Sequence, residues 1–89
     1  MSQQKRIKVK CYDEGNMKSD QREEIIAAIQ YCFAHDNLTC TGIIKRLNEK
    51  EHNGVIVVKG YKEWNLNGNK YYWSTWKFDH VYWVIVYTK

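Results

Sequence analysis

Residues 70–88 read KYYWSTWKFDHVYWVIVYT, and their alternation writes two strands joined by a turn. In the first, Tyr71, Trp73 and Thr75 alternate with Tyr72, Ser74 and Trp76. In the second, Val81, Trp83, Ile85 and Tyr87 alternate with Tyr82, Val84 and Val86, and Phe78-Asp79 supplies the turn. An antiparallel pair with one wet face alternates apolar with polar. Here both faces carry large apolar groups, so both expect cover.

Upstream of this pair the chain continues as sheet back to Gly54. Residues 55–58, Val-Ile-Val-Val, form a β-branched run apolar on both faces and read as a central strand. Gly60 interrupts it. Residues 61–66 read as a weaker strand that ends at Asn67-Gly68, a strong short hairpin signal.

Two helices precede the sheet. Asp20 and Glu23 have capping-box spacing, and Ile25, Ile26, Ala28, Ile29, Cys32 and Phe33 recur at three- and four-residue steps, predicting a helix over 21–35. A second helix starts at Thr39 or Thr41, carries Ile43, Ile44 and Leu47 on its apolar side, and stops at Asn53-Gly54. So short a connection predicts an antiparallel helix pair. Before them, residues 5–12 alternate Ile7, Val9 and Cys11 with Arg6, Lys8 and Lys10, a strand with one wet face. The expected fold class is α+β: strand, helix, helix, then a four-stranded antiparallel sheet, in one domain over 1–89.

A chain of 89 residues buries only about two-thirds of its unfolded surface, so small domains often add a disulfide, a metal or a second copy of themselves. Apolar residues at 44% are too many for disorder, and no run approaches the roughly 18 residues of a membrane span. The opening Met1-Ser2-Gln3-Gln4-Lys5-Arg6 lacks the apolar stretch of a secretory signal, so an intracellular protein is expected. Cys11, Cys32 and Cys40 are odd in number with no CxxC spacing and read as ordinary thiols. Cys32, His35 and Cys40 make a poor zinc set. No nucleophile elbow, phosphate-binding glycine loop or HExxH occurs, and His35, His52 and His80 have no evident catalytic partner. The sequence therefore predicts no enzyme, no metal and no cofactor.

Nine of the thirteen aromatics fall between Trp64 and Tyr87, and two helices can cover only one face of the sheet they decorate. The other face needs a partner, and a two-fold dimer packed face to face is the commonest answer. The net charge of +4, carried by residues 1–10 and 41–89, permits a second reading: a small nucleic-acid-binding domain that stacks bases on Tyr71, Trp73 and Trp76. The basic residues are scattered singly, which favours a solvated surface.

The order of elements, with Ile7-Lys8-Val9-Lys10, the acidic turn and Met17, the helix to Phe33, Asn37-Leu38 leading into Ile43-Ile44-Lys45-Arg46-Leu47, and the closing residues 72–89, resembles the eight-kilodalton class of dynein light chains. The resemblance covers nearly the whole chain and rests on pattern and order. It implies a non-enzymatic homodimer of the cytoplasm and cytoskeleton, with one strand exchanged between subunits. Short extended segments, those of dynein intermediate chain among them and often with a Gln-centred core, would add as a further strand.

Residue by residue, the resemblance implies that Tyr61, Lys62, Glu63, Trp64, Asn65 and Leu66 are the exchanged edge strand. Trp73, Thr75 and Lys77 would floor the groove, and Thr41 would wall it. Val55, Ile56, Val57, Val58, Trp64 and Thr88 would lie at the dimer interface. The chain departs from the family in three places: the 61–66 run itself, Ile56 where an interface histidine is usual, and Cys40 or Thr41 where a lysine approaches the bound Gln.

Overall fold

The structure, a computed structural model, describes residues 5–50 and 54–89. In chain order its elements are β1 (Lys10–Asp13), α1 (Ser19–Ala34), α2 (Cys40–Asn48), β2 (Val55–Lys59), β3 (Tyr71–Phe78) and β4 (Val81–Thr88). The four strands form one antiparallel sheet in the order β1-β3-β4-β2. The α+β class and the helix pair are as the sequence predicts. Only three strands follow the helices, however, and β1 supplies the fourth.

The hairpin of β3 and β4 is the spine of the sheet, paired from Tyr71 opposite Thr88 to Phe78 opposite Val81. Its turn is Asp79-His80, one residue later than expected, and both turn residues have positive φ (54° and 63°). Such a turn matches the right-handed twist of the strands, and Asp and His enter the left-handed region more readily than most residues. Trp83 Nε1 donates to the Phe78 carbonyl at 3.2 Å, and the rings of Phe78 and Trp83 stack at 4.6 Å.

Both helices pack on one face. Ile25, Ala28, Ile29 and Cys32 of α1 and Ile43 and Leu47 of α2 meet Val57, Trp76, Phe78, Trp83, Ile85 and Tyr87 in a single core. Thr39 caps α2 through its hydroxyl, which accepts from the Gly42 N–H at 2.9 Å, so Thr39 rather than Thr41 starts that helix. At α1 the reciprocal cap comes from Gln21, whose Oε1 accepts from the Lys18 N–H at 2.9 Å. Asp20 instead sits in the first turn, where the helix dipole favours a negative charge. Asn53, half of the expected helix stop, lies outside the described residues.

Three strand expectations are corrected. The first strand begins at Lys10, not Lys5, because the Gln30 side chain takes the place of a neighbouring strand. Its Oε1 accepts from the Ile7 N–H at 2.9 Å and its Nε2 donates to the Ile7 carbonyl at 2.7 Å. The run 55–58 forms a strand, but at the edge of the sheet rather than its centre. Residues 61–66 form no strand within the chain, so Asn67-Gly68 closes no hairpin. Asn67 instead holds a local turn, its Oδ1 accepting from the Asn69 N–H at 2.8 Å and its carbonyl accepting from Lys70 and Tyr71.

Candidate docking face

Pairing register divides the side chains of the sheet between two faces. Val57 opposite Ile85, and Trp76 opposite Trp83, point at the helices. Ile56 and Trp73 both pair with Val86, and Val58 and Thr75 both pair with Val84, so these six share the opposite face with Lys77 and Tyr82. Alternation alone leaves Trp73 and Trp76 equivalent. The helices resolve them, with Trp76 in the core and Trp73 half-buried on the far side.

The path of the chain explains what happens on that far face. β2 and β3 both run antiparallel to β4 and flank it. β2 ends beside Trp83, whereas β3 begins beside Thr88. Residues 60–70 must therefore travel back along the length of β4. They leave β2 at Gly60, whose N–H donates to the Tyr82 carbonyl at 2.6 Å and whose φ of 97° sits in open space, a conformation suited to glycine. Lys62 then stands over the rings of Tyr82 (5.6 Å) and Tyr12 (6.0 Å), which meet edge to face at 5.1 Å. The connection thus crosses the face opposite the helices.

Beneath it Thr75, Val84 and Val86 are fully buried although they belong to no part of the helix-side core. The Thr75 hydroxyl is sealed from solvent with no hydrogen-bond partner among the described residues. Leaving such a group unsatisfied costs about 1–3 kcal/mol. The cover is incomplete as well. Tyr61 is 57% exposed, Trp64 is 36% exposed with its ring edge-on to that of Tyr61, and Ile56 is 41% exposed at the rim.

The expected site residues separate on this frame. Lys62, Glu63 and Asn65 are exposed and Leu66 is half-buried along the crossing connection. Trp73, Thr75 and Lys77 line one face together. Gly15 lies against the Trp73 ring, where a side chain would collide with it, and the Trp73 backbone N–H donates to Asn16 Oδ1 at 2.8 Å. Thr41 is exposed at the start of α2, on the helix side. Floor and wall therefore lie on opposite sides of the sheet, and one chain does not bring them into a single groove.

Of the interface residues, Ile56, Val58 and Thr88 share the far face. Val57 lies in the chain's own core and Val55 packs against it. Thr88 is held at its end of β4, its N–H and hydroxyl both donating to the Gly54 carbonyl at 3.0 and 3.3 Å.

Sequence reasoning missed Tyr12 and Tyr82, which receive Lys62 and mark the crossing. Their signal was present, since Tyr82 alternates onto the Trp73 face and Tyr12 alternates with Cys11 onto the side of Lys10, the partner of Lys77. Burial pushes the Cys11 and Cys32 thiols up, away from the thiolate form that a nucleophile needs. Among the described residues no cluster of His, Cys, Asp and Glu can hold a metal, and no helix is long and apolar enough to cross a membrane. No family model, curated protein or solved structure matches the chain.

Proposed function

We propose that this chain is a non-enzymatic, homodimeric docking protein of the dynein light chain kind, which holds short extended segments of partner proteins by strand addition. The observation that carries the reading is the edge strand β2. It is apolar on both faces, it pairs only with β4 among the described residues, and its outward main-chain groups stand ready for another strand. Residues 61–66 of a second copy are the natural occupant, because they leave β2 through the positive-φ Gly60 and pair with no strand among the described residues.

Exchange of that segment uncovers Thr75, Val84 and Val86 for a face-to-face dimer. The second copy also supplies what one chain lacks, a Thr41 wall beside a Trp73 floor. A partner segment, such as that of a dynein intermediate chain, then adds beside the exchanged strand, with main-chain bonds for affinity and side-chain pockets for choice. On this reading the protein works in the cytoplasm and on the cytoskeleton.

A fluorescence titration with a labelled peptide carrying a Thr-Gln-Thr core tests it. The expected result is saturation at one peptide per chain, with little dependence on salt. The cluster of Lys62, Lys77, Tyr12 and Tyr82 favours the second reading, a nucleic-acid face. That reading predicts binding to single-stranded oligonucleotides that falls steeply with salt through counterion release. Oligonucleotide binding with no peptide binding would replace the docking reading.

A further inference from the structure

At the β1 edge, the far side of the sheet from β2, the chain leaves an open cavity of about 530 Å³ beside the Asp79-His80 turn. Its floor is apolar, made by Ile7, Phe33 and Phe78. Its rim is basic, made by Lys8, Lys10 and Lys77 with His80. We propose that this cavity is a second docking site, separate from the β2 edge, for an acidic peptide segment that carries an apolar side chain.

Charge complementarity identifies the occupant. Lys10 and Lys77 are direct cross-strand partners on one face, an arrangement of like charges that weakens a sheet, and while Lys77 Nζ stands over the Tyr82 ring at 5.1 Å, Lys10 has no such contact among the described residues. The neighbouring Lys5 is already paired with Asp36 across the Phe33 ring, whereas Lys8 and Lys10 have no ion pair among the described residues. The volume suits a few side chains, within the ordinary range of ligand clefts. Asp79 and His80, the turn of the β3–β4 hairpin, form the lip of the cavity.

A peptide fits better than a nucleic acid. Phe78 is only 2% exposed, and Phe33 is partly covered, so neither offers an open stacking platform. Asp79 on the rim can accept from a peptide N–H, a donor that a phosphodiester lacks.

The probe is a short fluorescein-labelled peptide of Glu interrupted by Phe, titrated into the full chain with amide shifts recorded in parallel. The proposal predicts binding that weakens with salt and shifts centred on Ile7, Lys8, Phe33 and His80. Exchanging Lys8→Glu and Lys10→Glu together should cost roughly tenfold or more in affinity, as reversal of rim charges does, without unfolding a chain in which both are exposed. Equal binding of a Lys-for-Glu peptide, tighter binding of a single-stranded oligonucleotide, unchanged affinity of the double variant, or shifts confined to the β2 edge would each overturn it. Lys8 and Lys10 lie at the β1 edge, at the other end of the strand order from β2, so failure here leaves the β2 edge untouched, and a Thr-Gln-Thr peptide serves as the control.

Discussion

Ile56 and Val86 stand opposite each other in the β2–β4 ladder and share a face, yet Val86 is fully buried while Ile56 is 41% exposed. The difference marks the limit of what the chain can cover by itself. Residues 60–70 shield the middle of the far face and leave its β2 rim open. On the proposed reading, this apolar rim, beside a strand edge unpaired among the described residues, is the part of the molecule that a second copy would use.

Substitution at that rim should separate association from folding. Ile56→Glu is expected to abolish self-association while changing monomer stability by less than about 0.5 kcal/mol, as surface changes do. Its neighbour Val57 points into the core, and Val57→Ala should cost about 1–3 kcal/mol through lost burial and a residual cavity. Thermal melts beside sedimentation of both variants check the contrast.

The two tryptophans of β3 should behave as opposites. Trp76 is 1% exposed in the core, its Nε1 donating to Ser74 Oγ at 2.7 Å. Trp76→Ala is expected to cost about 3–5 kcal/mol, enough to unfold a domain of this size. Trp73→Ala should leave the chain folded and weaken a bound Thr-Gln-Thr peptide by about thirtyfold, the equivalent of about 2 kcal/mol at a hot spot. Circular dichroism and a peptide titration on the two variants are sufficient.

Much of this was legible in the sequence, and the exceptions have physical causes. The helices and the β3–β4 hairpin follow from periodicity, because each buries one strong apolar set. The first strand was overextended, since alternation at Ile7 and Val9 records only that one side is buried. A glutamine from α1, not a strand, satisfies the backbone there. Residues 55–58 read as central because they are apolar on both faces, and within one chain they are an edge. Alternation likewise could not assign Trp73 and Trp76, since a two-sided aromatic strand looks the same from either face. The crossing of residues 60–70 is a property of strand order, which no local pattern encodes.

Alkaline stability offers an independent check on the core. Burial, with Glu24 and Asp20 nearby adding negative charge, pushes the Tyr87 phenol well above its ordinary value. The folded state therefore keeps this proton at a pH where the unfolded chain releases it. Stability from this group is fully present below roughly pH 10, the ordinary range of tyrosine, and is lost as pH rises beyond it. Denaturant melts from neutral to alkaline pH should show that loss, and Tyr87→Phe should flatten it.

Sedimentation equilibrium of the intact chain across micromolar concentrations tests the central claim most directly. The account predicts a species of twice the chain mass, converted to single chains by Ile56→Glu with the fold retained. A single-chain mass at every concentration, with a melting temperature that does not depend on concentration, would contradict it.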